Sequence, residues 1–404
     1  MTIDHMFSEK KISTIDRHWP LRLSLLGLGG LVMAGLLSLV DANSFSRLSH
    51  AYLLNFAFFL SVSLGSLFFV MLQHLTGARW SVVVRRIAEI LASPLPVLGL
   101  LCLPIVIPLL FGSNALYTWN DPAVRASDLL IQGKSGYLNA PFFMIRCLGY
   151  FLVWGLLCRV FVGYSMAQDK TADPEISGRL RQLSGPGMIA FALTVNFAAF
   201  DLLMSLDAHW FSTIFGIYFF AGCAVSVFAA LPLAVVGFQY FGLLKGQVST
   251  EHLHDLAKLL FGFVFFWAYI AFSQYILIWY ANIPEETMWY LVRQENGWLY
   301  ISLLLIVGHF LLPFFGLMSR SSRRSRRVLV GWCVFLLVMQ WVDLLWLVMP
   351  SFSTTFIPVG VVELFCFVGV GSIWLSCVLK LAANTHLVPT GDPHLSESLS
   401  FHNV

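Results

Sequence analysis

A short stretch at residues 194–213, TVNFAAFDLLMSLDAHWFST, combines strong hydrophobicity with polar and ionisable side chains. These side chains are Asn196, Asp201, Asp207 and His209. A carboxylate at membrane depth is energetically expensive, so it normally faces the interior of a helix bundle, a water cavity or a partner. The stretch therefore predicts a polar site inside a membrane protein.

Helical spacing places Asp201 on a polar stripe. An i, i+3, i+4 and i+7 pattern brings together Thr194, Ala198, Asp201 and Ser205. The other faces of this helix carry Phe197, Phe200 and leucines. We expect the stripe to face inward while the apolar faces contact lipid or neighbouring helices.

Other apolar segments also carry polar side chains, at graded depths. They are Asp343, with Gln340 three residues before it, and Gln274, His309 and Glu363. Pro313 follows His309 by four residues and cannot donate a helical hydrogen bond, which frees a backbone carbonyl beside the imidazole and favours a bound water. With Asp201, this set predicts a proton path or the polar wall of a quinone pocket. The alternative, in which buried carboxylates only tie helices together, stays open.

A second set lies at the predicted outer surface, where we expect it to face a quinone or a partner subunit. It comprises Asp207, His209, Trp210, Glu285 and Glu286. Tryptophan is common at this level of a membrane protein, because its amphipathic ring suits the interface.

Sequence patterns for metals and cofactors are absent. The seven cysteines form no CxxC or iron–sulfur spacing, and there is no zinc pattern and no glycine-rich phosphate loop. Two-histidine haem ligation needs both rings at one depth, whereas His74 lies at the predicted inner edge and His309 near mid-membrane. We therefore expect no metal and no cofactor held by this chain itself.

The composition identifies the class of protein that must position these residues. The 404-residue chain is 58% hydrophobic and 11% charged, with a mean hydropathy of +0.79. Soluble domains do not have this composition, so the chain is predicted to be an all-α polytopic membrane protein.

Ten segments are long and apolar enough to cross a bilayer, which takes about 20 residues each. They are residues 21–40, 51–75, 96–112, 140–165, 186–206, 211–243, 257–281, 297–318, 328–349 and 357–382. Two amphipathic connectors, residues 81–93 and 174–185, are predicted at the membrane interface.

The cationic residues predict the orientation. With a cytoplasmic N-terminus, 19 of the 24 Lys and Arg residues fall inside, four fall outside, and Arg146 lies within the fourth span. The run RSSRRSRR at 320–327 is the strongest inside anchor, and it predicts topology rather than binding to nucleic acid. Both termini are thus expected in the cytoplasm.

We expect three regions. Residues 1–20 form a cytoplasmic N-terminal segment, residues 21–383 a single ten-helix domain, and residues 384–404 a loosely ordered cytoplasmic tail. Spans 5 and 9 run in the same direction and each carries an aspartate. This suggests two four-helix halves, about 51–206 and 211–349, with spans 1 and 10 flanking them.

Four runs resemble a known family. They are DLLMSLDAHWFSTIFGIYFFAG (201–222), FVFFWAYIAFSQYILIWYANIPEET (263–287), GHFLLPFFGLMSR (308–320) and VMQWVDLLWLVMP (338–350). They are similar to the F subunit of bacterial alternative complex III, a quinol:electron acceptor oxidoreductase. That subunit is a polysulfide-reductase (NrfD-like) membrane protein with two four-helix bundles and two flanking helices.

The resemblance implies a bacterial inner-membrane (cytoplasmic membrane) subunit that supports quinol oxidation, with menaquinone or another quinone as substrate, and proton translocation. The implied partners are an Fe–S subunit, the paralogous C-type NrfD-like subunit, c-type cytochrome subunits, a terminal oxidase and membrane lipids. Haem c and Fe–S clusters would lie on those partners. Carried onto this chain, the implied proton path comprises Asp201, His309, Asp343 and Glu363.

Two other functions stay open on the sequence. The chain could be a stand-alone proton-coupled secondary transporter that uses Asp201 and Asp343, although these lie on parallel rather than inverted spans. It could also be a structural membrane anchor.

Overall fold

The computed structural model describes residues 18–39 and 44–402. This part of the chain is helical and contains no strand. It holds ten helices long and apolar enough to cross a membrane, in agreement with the prediction. The predicted N-terminal segment lies largely outside the described residues, as do Lys10, Lys11 and Arg17.

The ten spans alternate with short connections. Their bounds are Trp19–Leu37, Phe45–Thr76, Val82–Leu110, Ala140–Thr171, Pro174–Leu206, Phe215–Tyr240, Thr250–Ala281, Trp298–Met318, Arg326–Ser351 and Val361–Asn384, and they are called spans 1 to 10 below. Shorter helices in the connections are Pro122–Ser127, Leu129–Gly133, Pro284–Val292, Arg320–Arg324 and Leu395–Leu399.

Local sequence explains where two long spans begin and end. Asn139 caps span 4 by accepting a hydrogen bond from the Phe142 amide at 2.9 Å, and the span ends where Ala172 adopts a left-handed conformation. Ser249 begins span 7 in a capping box, and Asn282 ends it in the left-handed conformation that asparagine tolerates.

Span 2 lies at the centre of the molecule, and its most apolar window is wholly buried. It packs closely on span 6, where the hydroxyl groups of Ser61 and Ser226 form a hydrogen bond of 3.0 Å. Gly65 permits this approach, since an added Cβ would lie 2.1 Å from the Cys223 carbonyl oxygen. Small residues serve this purpose widely between membrane helices.

Span 1 packs on span 10. Gly30 lies against the Gly369 backbone, and the Ser24 and Ser376 hydroxyls meet at 2.8 Å. The two spans run in opposite directions, because the beginning of span 1 contacts the last third of span 10.

The bundle has a basic end, defined here by Arg79, Arg85, Arg86 and the run 320–327. Contacts at this end join neighbouring spans: Arg324, just before span 9, pairs with Glu251 of span 7, and Arg326 of span 9 donates to Gln239 of span 6 at 2.5 Å. The opposite end holds the connections 111–139, 207–214, 282–297 and 352–360.

The connector predicted at the membrane interface, residues 81–93, is helical but is covered by protein on every side. Every residue of the helix Val82–Ala92 is buried. Its charges are buried because they are paired: Arg86 contacts Glu89 and Asp169, each at 2.8 Å. The prediction of an interfacial surface helix was therefore wrong at this position.

The second connector, residues 174–185, does not form a separate helix. The helix Glu175–Leu202 runs without interruption into span 5, and Pro186 lies inside it. Ile176, Leu180 and Ser184 are buried, so the helix extends inward along the bundle.

The C-terminal tail is docked rather than loosely ordered. Asp392 pairs with the buried Arg85 at 2.5 Å, and Ser398 donates from its hydroxyl to the Trp80 carbonyl at 2.6 Å. The Ser398 carbonyl also lies 3.0 Å from His252 Nε2 at the start of span 7. The tail thereby links the connection before span 3 with span 7.

Candidate functional site

Asp201 is fully buried near the end of span 5 and forms an ion pair with a partly exposed arginine. Arg146, on span 4, donates hydrogen bonds to both carboxylate oxygens, with Nε 2.8 Å from Oδ2 and Nη2 2.9 Å from Oδ1. The Tyr150 hydroxyl donates to Oδ2 at 2.6 Å. Bidentate arginine pairs of this kind hold a carboxylate strongly in place.

The predicted polar stripe around Asp201 faces the interior. Ala198, Asp201 and Ser205 are buried, and Thr194 is half-buried and accepts a hydrogen bond from the Trp154 indole at 2.8 Å. The Ser205 hydroxyl donates a hydrogen bond to the backbone carbonyl of Asp201 at 2.5 Å. The stripe therefore binds span 5 to span 4.

Asp343, on span 9, has different surroundings. It accepts hydrogen bonds from the Tyr218 hydroxyl on span 6 and from the Trp267 indole on span 7, the latter at 3.3 Å. No lysine or arginine of residues 18–39 and 44–402 forms an ion pair with it, and its side chain is 1% exposed. Asp343 is thus a buried carboxyl group with neutral donors alone.

His309, on span 8, stands beside this group. Its ring lies 4.0 Å from the Trp267 ring, between centroids, and both of its nitrogens are buried without a hydrogen-bond partner in the described part of the chain. The backbone forms a π-helix over Leu305–Leu311, just before Pro313, and such irregular turns occur often at functional sites. Buried polar atoms of this kind normally bind water.

Gln340 completes the cluster, one helical turn before Asp343. Its side chain packs on Gly222 of span 6, and its Oε1 is buried without a partner among the described residues. Spans 6, 7, 8 and 9 thus bring Asp343, His309 and Gln340 into one polar region, called the Asp343 cluster below with Tyr218 and Trp267.

Glu363 forms a separate ion pair. The Arg47 guanidinium of span 2 reaches both carboxylate oxygens, at 3.0 and 2.9 Å. Glu363 is 1% exposed, whereas the Arg47 side chain is 33% exposed. The pair joins span 2 to span 10 at the end of the bundle opposite the basic end.

Gln274, on span 7, links the spans to a connection at this same end. Its Oε1 accepts a hydrogen bond from the Ser212 hydroxyl at 3.1 Å, and its Nε2 donates to the Tyr290 hydroxyl at 2.9 Å. Tyr290 belongs to the helix Pro284–Val292, and burial raises the pKa of its phenol.

The residues predicted at the outer surface are spread over two connections. His209 Nε2 lies 2.5 Å from Asp128, and Asp207 accepts a hydrogen bond from the His209 amide at 3.1 Å. This contact with His209 lowers the pKa of Asp128. Glu285 is exposed and Glu286 half-buried, both in the first turn of Pro284–Val292.

Trp210 is buried and stacks on Trp289 with 4.2 Å between ring centroids. Trp289 also lies under the Arg293 guanidinium, 3.4 Å from its centroid. Arg293 donates to the carbonyls of Trp289, Trp346 and Leu347. Burial lowers the pKa of Arg293 to about 9, which leaves it charged at neutral pH. This packing fits a structural role for Trp210.

The structure brings Asp343, His309 and Gln340 together, and it places Asp201, Glu363 and Gln274 in three other sites. Within the described residues, no group of three or more His, Cys, Asp or Glu side chains could hold a metal ion.

Sequence reasoning missed the partners: Tyr218, Trp267, Tyr150, Arg47 and the role of Arg146. Arg146 did carry a signal, as the one cationic residue predicted inside a span, because such a residue normally pairs with an acid. The sequence matches no family model and no curated protein.

Proposed function

We propose that the chain is a cofactor-free membrane subunit of a bacterial quinol-oxidising respiratory complex, akin to the F subunit of alternative complex III, and that it moves protons through the Asp343 cluster. The observation that carries the proton role is Asp343 itself, a buried carboxyl group whose hydrogen bonds with the described residues come from the neutral Tyr218 and Trp267. Intramembrane acids of this kind mark proton relays, whereas an arginine-paired carboxylate is held in one charged state.

The other members of the cluster suit a relay. His309 and Gln340 offer three buried polar atoms without a described partner, and waters bound there would connect them. Gln274 and Tyr290 extend polar contacts toward the end opposite the basic end. We assign Asp201 and Glu363 to structural ties between spans, because each is already held by an arginine.

The proposed arrangement in the membrane is two four-helix bundles, spans 2–5 and 6–9, with spans 1 and 10 outside them. The mutual packing of spans 1 and 10 supports this grouping. The excess of cationic residues at one end supports a cytoplasmic location for both termini, in a bacterial inner membrane.

The respiratory role rests on the sequence resemblance over about residues 186–350. On this proposal, an Fe–S subunit, a C-type NrfD-like subunit and c-type cytochromes assemble with the chain, together with a terminal oxidase. Those subunits carry the Fe–S clusters and haem c. A quinol such as menaquinol is oxidised to the quinone in the complex, with Asp207, His209, Glu285 and Glu286 on the side that faces partners and Trp210 packed beneath them.

A first experiment tests the complex. The chain is purified in mild detergent on a C-terminal tag, and a dithionite-minus-air optical difference spectrum is recorded. We expect a c-type α-band and several co-eluting subunits. A colourless single protein that couples proton uptake to a substrate in liposomes would instead identify a secondary transporter.

A second experiment tests the proton role in proteoliposomes that contain the purified complex. Asp343→Asn is expected to lower the number of protons moved per electron to the number released by quinol oxidation itself, while Glu295→Gln, at an exposed site, serves as the control and leaves it unchanged. Normal proton movement in Asp343→Asn would refute the role. Loss of assembled complex, with normal activity in the remainder, would identify a structural anchor.

A further inference from the structure

An apolar groove lies along spans 3 and 4, with a volume of about 900 Å³. Its lining on span 4 extends from Met144 to Met166, a rise of about 33 Å at ~1.5 Å per residue. This length matches the ~30 Å hydrocarbon thickness of a bilayer. Leu148, Leu152 and Leu156 are exposed along it, so the groove opens toward the membrane.

The groove exists because span 3 is broken by prolines and span 4 has glycines where side chains would otherwise fill the space. Span 3 is divided into Val82–Ala92, Leu95–Leu101 and Leu103–Leu110, with prolines in the second and third pieces. Span 4 contributes Gly155 and Gly163, which have no side chains to fill the groove. An added Cβ at Gly163 would meet no atom within 4 Å.

Arg159 is the one charged side chain among the residues that line the groove. It is exposed and forms no hydrogen bond or ion pair with the described residues. Arg146 and Arg159 are about 20 Å apart along span 4 at ~1.5 Å per residue. Long cationic side chains extend to the nearest interface, so Arg159 marks the headgroup level toward the basic end.

We propose that this groove binds an anionic phospholipid, with the phosphate paired to Arg159 and an acyl chain lying along Leu156, Leu152 and Leu148. A basic residue beside an apolar groove between spans suits an anionic headgroup. A partner helix fits less well, because close helix contacts need small or polar faces, and this rim carries exposed leucines. The inference does not depend on the proposed respiratory function.

The role of the Arg159 charge is tested in nanodiscs with equal amounts of phosphatidylglycerol and phosphatidylcholine. The lipids that the protein retains are counted by native mass spectrometry. Wild type is expected to retain phosphatidylglycerol preferentially. Arg159→Gln should lower that preference about fivefold, the factor for one cationic side chain at a membrane surface. Arg327→Gln, an exposed arginine at the same end, should leave it unchanged.

The groove is tested with two leucines on the same helix. Gly155→Leu, beside the proposed acyl chain, should remove the retained lipid, whereas Gly149→Leu, at an open site that does not line the groove, should keep it. Three results would overturn the proposal: an unchanged preference in Arg159→Gln, equal lipid retention by the two leucine variants, or a cysteine at position 155 that cross-links to another subunit in native membranes.

Discussion

Two aspartates on parallel spans differ in the side chains that surround them. Asp201 is gripped by Arg146, whereas Asp343 is bonded by a tyrosine and a tryptophan. A buried charge that loses its counter-charge is far more costly than a buried neutral group that loses a hydrogen bond. Substitution of the two aspartates should therefore have different consequences.

At Asp201, replacement by Asn is expected to destabilise the protein by about 3 kcal/mol, because Arg146 would remain charged and unpaired. The double variant Arg146→Gln/Asp201→Asn removes both charges and should recover more than half of this loss. The stability of the single and double variants is measured by thermal unfolding, monitored by fluorescence-detected size-exclusion chromatography. A single variant as stable as wild type would contradict the structural assignment of Asp201.

At His309, replacement by Leu removes two buried nitrogens that have no described partner. A similarly sized apolar side chain in such a site is close to neutral for stability. We therefore expect unchanged thermal stability and a loss of proton movement in proteoliposomes. Unchanged proton movement would remove His309 from the proposed path, and a large loss of stability would indicate that the ring is needed for packing.

At the scale of helices, glycine positions decide how closely spans approach. Gly65→Ala would place a methyl group 2.1 Å from the Cys223 carbonyl oxygen on span 6, a backbone atom that cannot move aside cheaply. The expected cost is about 1–3 kcal/mol, measured as a lower unfolding temperature. Gly262→Ala, on a helix face with no atom within 4 Å, is the control and should stabilise slightly. Equal effects would contradict this account of the contact.

The ten spans could be predicted because each contains a long apolar segment, but spans 3 and 5 begin 14 and 12 residues earlier than expected, since the predicted connectors are part of them. The burial of the connector that holds Arg85, Arg86 and Glu89 could not be predicted. An amphipathic pattern identifies a polar face, but it does not say whether that face meets water or another part of the chain. Here the polar face meets Asp169 and Asp392, which are far away in sequence.

The candidate site could be predicted only in part for a related reason. Asp343 and Gln340 share a face by their spacing, and both are buried as expected. Whether Tyr218 or an arginine faces Asp343 depends on the rotation of span 6 about its axis. That rotation is set by contacts such as Gly222 on Gln340, which hydrophobic periodicity does not encode.

At the scale of the whole molecule, the tail holds the basic end together. Asp392→Asn removes a buried partner of Arg85, whereas Glu397→Gln removes an exposed partner of Arg79. Exposed pairs contribute little and buried ones much. We expect protease treatment from the basic end to cut the tail much faster in Asp392→Asn and at the wild-type rate in Glu397→Gln. Equal rates would contradict a docked tail anchored at Arg85.

The tail contact has an expected pH dependence. Hydrogen bonds from Arg79 and His394 lower the pKa of Glu397. A carboxylate with a lowered pKa stabilises the docked state above its ordinary value of about 4.3, and the stabilisation is lost as pH falls through the lowered pKa. The contact of Glu397 with Arg79 should thus weaken only in acid, as pH falls through the lowered pKa of Glu397, as checked by hydrogen exchange of residues 395–399.

The pairing of Arg85 with Asp392 also determines when the basic end can be completed during synthesis. The two residues are 307 positions apart, so at 5–20 residues per second the aspartate follows the arginine by roughly 15–60 s. Throughout that interval the nascent chain holds a cluster at span 3 with an incomplete set of counter-charges. A chain whose translation stops before residue 392 never closes it, and Arg85 then keeps Glu89 of its own helix as its acidic neighbour.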